Sequence, residues 1–381
     1  MHNKVFFSFV LFSILLVGSI NCNKQAENSS SIQKEEFGSI NGKEIDIYSL
    51  VNKKGVKAKI TNYGAILVSL TIPDRNGNFA DIVTGFDSLN GYINDRSFFG
   101  TTVGRYGNRI DKGKFMLDGK EYQLTVNDGE NHLHGGTTGF YKAIWNAEPV
   151  ENESGPSLKL TLISPDGEEG YPGTVTISVV YTLTNNNELE IKYDGTTDKA
   201  TILNPTHHSY FNLTGDFNNT ILDHELFIDA DSITPVDQTL ITTGEITPVE
   251  NTPMDFRKPT AIGLHINDKD VQLEFGKGYD HNWVLNNYTD GSVRKVASLY
   301  DSLSGRFMEI LSDQPGLQFY SGNFLNGTIE GKDEVVYQHR TALCLETQHY
   351  PDSPNKPEFP SVVLKPGETY HQTTIYRFST K

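Results

Sequence analysis

No helical period in this chain lasts beyond a few turns. What recurs instead is a short run of alternating or β-branched residues closed off by turn residues. Leu158–Ile163, Thr174–Leu183 and Leu189–Tyr193 are such runs, and Thr184-Asn185-Asn186-Asn187-Glu188 joins the last two with the composition of a hairpin connection. Others stand at Ala65–Ile72, Glu225–Ile228, Val271–Phe275, Arg294–Tyr300 and Arg306–Ser312. Segments of this kind fit a pleated, half-buried surface. The pattern therefore predicts an all-β protein built as one large antiparallel β-sandwich. With 34 Gly and 16 Pro the chain has the turn residues that so many reversals need. No internal repeat, Pro/Ser/Gly-rich linker or charge run divides it from Phe37 onward, so 37–381 reads as a single domain.

The formal net charge of -16 argues against nucleic acid and anionic lipid surfaces, because both need Lys and Arg in excess. A neutral small molecule is the better expectation. At the N-terminus, Lys4 precedes the apolar run Val5–Ile20, and Cys22 follows directly. That arrangement reads as an export signal over 1–22. Two versions stand. In one the signal is of lipoprotein type, Cys22 is lipidated and 23–36 is a polar tether. In the other the signal is simply cleaved and the cysteine is incidental. Either predicts an exported protein, in the periplasm of a bacterium or anchored to its membrane through Cys22 alone, and a monomer. Only Cys344 then remains in the folded part, which leaves no intramolecular disulfide; in the apolar run Ala342–Leu345 it reads as a small buried hydrophobe.

Five short stretches carry polar groups that a plain β-sandwich does not need. In Gly104-Arg105-Tyr106-Gly107-Asn108-Arg109-Ile110, the glycines suggest a phosphate loop, but no GK[ST] ending follows. Asn108 and Arg109 are suited instead to sugar hydroxyls, which donate and accept hydrogen bonds. Asn131-His132-Leu133-His134-Gly135-Gly136 and Asn204-Pro205-Thr206-His207-His208-Ser209-Tyr210-Phe211-Asn212-Leu213 offer histidine pairs. Imidazoles can hold a metal, yet no spaced Cys, Asp or Glu completes a set beside them, so no metal is expected. The aromatic and amide neighbours of His208 are those of a sugar site. In Gly278-Tyr279-Asp280-His281-Asn282-Trp283, Asp280 is either an Asx-type turn residue or a ligand-binding carboxylate. In Leu343-Cys344-Leu345-Glu346-Thr347-Gln348, Glu346 follows a strand-like apolar run, where partial burial raises its basicity as a general base requires.

Taken in order, these stretches resemble the aldose 1-epimerase (galactose mutarotase) family. The likeness runs through NYGAILVSLTIPDRNG, GRYGNRI, NHLHGG, SPDGEEGYPG, NPTHHSYFNL, TPMDFR, GYDHNWVL, QPGLQFYSGNFL and LETQHYPDSPN, nearly the whole folded chain. The resemblance implies a galactose mutarotase-like supersandwich and the interconversion of α and β anomers of a free aldohexose such as galactose or glucose, without a cofactor. It assigns Glu346 as general base and His208 as general acid. Asn108, Arg109, His134, Asp280 and Gln318, with Ser209 and Tyr210 beside His208, take the sugar-binding positions. A glycoside hydrolase could be built on Glu346 with Asp280, but it leaves the ordered His and Asn/Arg motifs unexplained. A silent sugar-binding protein has no need of a matched acid and base.

Overall fold

The hairpin expected across 184–188 forms: Thr184 donates its backbone N–H to the Glu188 carbonyl, and the strands Val175–Leu183 and Glu188–Thr197 pair antiparallel with Leu183 opposite Leu189. The computed structural model describes residues 1–2, 29–289 and 291–381. Most of the leader, Cys22 included, lies outside them. Among the described residues no helix is long and apolar enough to cross a membrane.

Two large antiparallel sheets make the body. One has nine strands, in the order Asn146–Val150, Ser157–Ser164, Val175–Leu183, Glu188–Thr197, Tyr370–Thr380, Arg306–Ser312, Arg294–Tyr300, Glu225–Ile228 and Thr260–Ala261. The other has six: Tyr210–Phe211, Leu343–Gln348, Gly316–Tyr320, Asp280–Leu285, Ala230–Thr234 and Thr247–Pro248. A five-stranded sheet from the N-terminal residues 31–81 completes the wall. The two large sheets pack face to face, since Ile177, Val179, Ile191, Ile310 and Tyr376 of the first share a core with Leu317, Phe319, Leu343, Leu345 and Trp283 of the second. The Tyr376 hydroxyl also donates to the Leu345 carbonyl at 3.1 Å. The all-β sandwich predicted from the strand pattern is the observed fold.

Two segments differ from the sequence reading. Val271–Phe275 alternates like a strand, yet Val271–Gly276 is an α-helix. Asp270 caps it, its carboxylate accepting from the N–H groups of Gln272 and Leu273, and Lys277 closes it in the left-handed conformation. Leu273 and Gly276, three apart, are its buried residues, so local capping and a helical spacing win over a period-two pattern only five residues long. Ser31–Ile40, six residues of which fall in the stretch read as a tether, is a strand paired with Lys43–Val51, and a bulge at Glu36/Gly38 absorbs its irregular pattern.

Because side chains alternate along a strand, the face of the six-stranded sheet turned away from the core carries Cys344, Glu346 and Gln348 from one strand, Gln318 and Tyr320 from the next, and Asp280 and Asn282 from the third. In register, Gln318 lies opposite both Glu346 and Asn282, and Asp280 opposite Tyr320. This polar face forms the floor of the site.

Candidate active site

A cavity of about 280 Å³ opens over that floor, and Glu346, His208, Asn108, Arg109, His134, Asp280 and Tyr210 all line it. A larger, more open polar groove of about 810 Å³ lies over Asn251–Asp268 and contains none of these residues.

His208 closes the short strand Thr206–His208, which pairs with Thr101–Val103. Alternation there sends its neighbour His207 into the core, against Tyr181 and Tyr376, and turns His208 to the cavity. Nε2 of His208 stands 3.7 Å from Oε1 of Glu346, and both side chains are almost wholly buried. The Glu346 carboxyl is pushed well above the usual range, first by burial and then by the Asp280 carboxylate, with the Arg109 guanidinium opposing. Burial draws His208 down to about 4. Both shifts favour the uncharged forms. A positive His208, as a general acid needs, is thus held against the pull of its own burial.

Around the pair stands a hydrogen-bonded frame. Asp280 Oδ1 accepts from Gln318 Nε2 at 2.8 Å, and its other oxygen lies 3.8 Å from Arg109 Nη1. Arg109 Nε is fixed by Asp128 at 2.8 Å. Asn108 and His134 hold each other: the Asn108 N–H donates to His134 Nδ1 at 3.1 Å, and the His134 N–H donates to the Asn108 carbonyl at 3.1 Å. Both have left-handed backbone, φ 64 and 51, a conformation in which Asn and His are enriched among non-glycine residues. Gly135 beside them has no substitute, because a Cβ would sit 1.8 Å from the Gly104 carbonyl oxygen.

His134, His208 and Glu346 each bring a ligand atom within 4.8 Å of the others. A metal fits this trio poorly. With Nδ1 of His134 accepting from Asn108, the neutral ring carries its proton on Nε2, the nitrogen a metal would need, and the Arg109 cation stands near. For a sugar oxygen the same Nε2–H is a ready donor.

Not every expected residue reaches the cavity. Ser209 is turned inward, its Oγ 2.7 Å from His207 Nε2, so it steadies the neighbouring histidine and does not meet a ligand. Gln318 is absent from the cavity lining and donates to Asp280, while its Oε1 is buried without a protein partner. The sequence reading missed Phe98, whose ring lies 4.8 Å from that of His134 and 5.8 Å from that of His208, and Asp128, Tyr320 and Phe324 on the walls. Nothing in Arg96-Ser97-Phe98-Phe99 marks Phe98 as a site residue. Asp128 could have been suspected, since it stands three residues before Asn131-His132-Leu133-His134.

A β-sandwich with a buried carboxyl and imidazole facing one small polar cavity is the equipment of a proton-transfer enzyme acting on a sugar-sized neutral molecule. The family model described as aldose 1-epimerase matches residues 46–377, and the chain belongs to that family. It is 44% identical to the galactose mutarotase of Homo sapiens over 326 residues, 85% of this chain and 91% of that protein. It is 36% identical to the aldose 1-epimerase of Escherichia coli (strain K12), over 88% of this chain and 96% of that one. The crystal structure of galactose 1-epimerase from Lactobacillus acidophilus superposes with a TM-score of 0.81 at 28% identity, covering 92% of this chain and 99% of that one. These relatives correct one expectation. A bacterial protein of the periplasm or of a lipid-anchored membrane fraction does not stand when a mammalian relative is more similar than the bacterial enzyme, and the leader on which it rested lies outside the described residues.

Proposed function

We propose that this aldose 1-epimerase, an isomerase of carbohydrate metabolism that interconverts the anomers of aldoses, works on free hexoses such as galactose and glucose, with Glu346 as base and His208 as acid. The observation that carries the assignment is the 3.7 Å approach of His208 Nε2 to Glu346 Oε1 at the floor of a sugar-sized cavity.

Mutarotation removes the proton of the anomeric hydroxyl and delivers one to the ring oxygen. With Glu346 ionised and His208 protonated, the Glu346 carboxylate takes the hydroxyl proton while Nε2–H of His208 protonates the ring oxygen. The C1–O5 bond breaks and C1 becomes an aldehyde. After rotation about C1–C2 the ring-oxygen hydroxyl attacks the other face of C1, returns its proton to His208 and receives back at O1 the proton held on Glu346. Each positioned transfer contributes about 10²- to 10⁴-fold. Arg109 lowers the cost of the Glu346 carboxylate at the moment it is needed. Asp280 accepts from sugar hydroxyls, and Asn108, Arg109 and the Nε2–H of His134 meet the rest, so that only C1 and the ring oxygen face the pair. Tyr210 and Phe98 supply apolar surface for the ring's C–H faces.

Polarimetry of freshly dissolved α-D-galactose and α-D-glucose tests the assignment. Rotation should relax faster than in buffer with the unsubstituted protein. With Glu346→Gln the acceleration should fall by about 10³-fold while sugar still binds. Undiminished turnover in that variant removes Glu346 from the mechanism.

A further inference from the structure

The mechanism above leaves unused one buried group that touches its acid. Cys344 lies two residues before Glu346 on the same strand, so both side chains rise from the same face of the sheet. Its Sγ is 3.5 Å from Nδ1 of His208, while Glu346 stands at Nε2. One strand thus holds both edges of the imidazole. The His208 ring is also flanked by the rings of Phe98, Tyr210 and His134 at 5.8, 5.2 and 5.0 Å, contacts that restrict its tilt but do not decide which nitrogen carries the proton.

We infer that Cys344 is a positioning residue for the acid: its thiol is the partner of His208 Nδ1 in both protonation states, and so keeps Nε2 as the nitrogen that exchanges the proton with the sugar. This rests on the assignment of His208 and Glu346 made above. The reason is the thiol's double capacity. When His208 is positive, Nδ1–H donates to the sulfur. When it is neutral, the same contact either persists or reverses, S–H donating to Nδ1. Burial and the nearby Glu346 and Asp280 carboxylates push the thiol well up, so it does not become a thiolate that would hold the imidazolium as an ion pair. A carboxylate at Nδ1 would trap the proton on His208; an alkyl group would leave Nδ1–H buried without this partner. A thiol avoids both, and it adds no charge beside Glu346. The ionisable groups facing His208 are then Glu346 and Cys344 from their shared strand, Tyr210 from the next and His134 from the loop on its other side; His207, its neighbour on its own strand, points away into the core, and its own backbone is the remaining acceptor.

Two substitutions separate this role from packing. Cys344→Val fills the site, with slightly more bulk, and removes the hydrogen-bonding group; Cys344→Ser keeps the group and gives up volume. Steady-state polarimetry across pH, with thermal unfolding of each variant, is the experiment. For Cys344→Val we expect kcat to fall about tenfold, the size of one lost hydrogen bond to the acid, with KM unchanged and the acid limb of the profile displaced to lower pH. Cys344→Ser should keep kcat within about threefold, even if it unfolds at a lower temperature. The reverse ranking, a fully active Val variant with an unchanged pH profile and an impaired Ser variant, would make Cys344 a packing residue and overturn the inference. Glu346→Gln, assayed alongside, separates the two levels. If it too is fully active, the acid–base assignment fails and takes this inference with it. If it is inactive while Cys344→Val is unaffected, only the role of Cys344 fails.

Discussion

Along Val175–Leu183, in the nine-stranded sheet, the residues turned to the core are Val175, Ile177, Val179, Tyr181 and Leu183, and the other face is polar and in part exposed. Along Leu343–Gln348, in the six-stranded sheet, all six residues are buried: Leu343 and Leu345 meet the core between the large sheets, while Cys344, Glu346 and Gln348 rise from the other face, where Glu346 lines the cavity. Alternation is the same in both. What differs is that the second strand buries its polar side as well, under the loops that carry Phe98, Asn108 and His134. A polar group taken out of water without full hydrogen bonding costs free energy. In the described residues Glu346 Oε2, Gln318 Oε1, Asn282 Oδ1 and both polar atoms of Gln348 are buried with no protein partner, all from this one face. The nine-stranded sheet contributes stability, and the six-stranded sheet gives some up by burying these polar groups, Glu346 among them at the cavity.

The comparison can be broken first with acid. His132, His208, His224 and His281 are held down to about 4, and His207 to about 3, in each case first by burial. A group with a depressed folded value adds stability above its unfolded value of about 6.5, and that stability is lost as the pH falls toward the folded value. Stability should therefore decline from about pH 6.5 to pH 4, each of these histidines adding a slope of up to about 1.4 kcal/mol per pH unit. Urea unfolding at pH 7, 6 and 5 measures it, and a flat profile would mean that the buried imidazoles cost nothing. On the apolar side, Ile177→Ala should remove about 2–5 kcal/mol of unfolding free energy while kcat per folded molecule stays within about twofold. A fall in kcat there would show that the two sheets are not separable. Smallest is Asp280→Asn, for which KM should rise about tenfold with kcat little changed, since one charged acceptor of sugar hydroxyls becomes an amide. A kcat effect larger than the KM effect would move Asp280 from holding the sugar to tuning Glu346, whose carboxyl it helps to push up.

Much of the fold was legible. Glu225–Ile228, Arg294–Tyr300 and Arg306–Ser312 are strands with the boundaries their patterns predict; the first and last alternate cleanly between buried and less buried positions, while the middle one buries Val296–Leu299 on both faces. Val271–Phe275 was misread because five residues of alternation cannot outweigh an N-cap and a buried pair spaced by three. At the site, the polar stretches identified Glu346, His208, Asn108, Arg109, His134 and Asp280, residue types that a plain sandwich would not place beside apolar runs. Ser209 was misplaced since adjacency to His208 along a strand means the opposite face, and Phe98 was invisible because an aromatic in a loop has no period to betray it.

The sequence by itself determined the family and most of the strands and turns, and it named the acid and base proposed here, for these depend on local pattern and on residue identity. Only the tertiary structure decided which side of each strand meets water, which meets the core and which meets the cavity. That choice pushes Glu346 and His208 toward their uncharged forms and brings Cys344 to the imidazole, because burial and a contact 136 residues apart in sequence are properties of packing that no short stretch of chain contains.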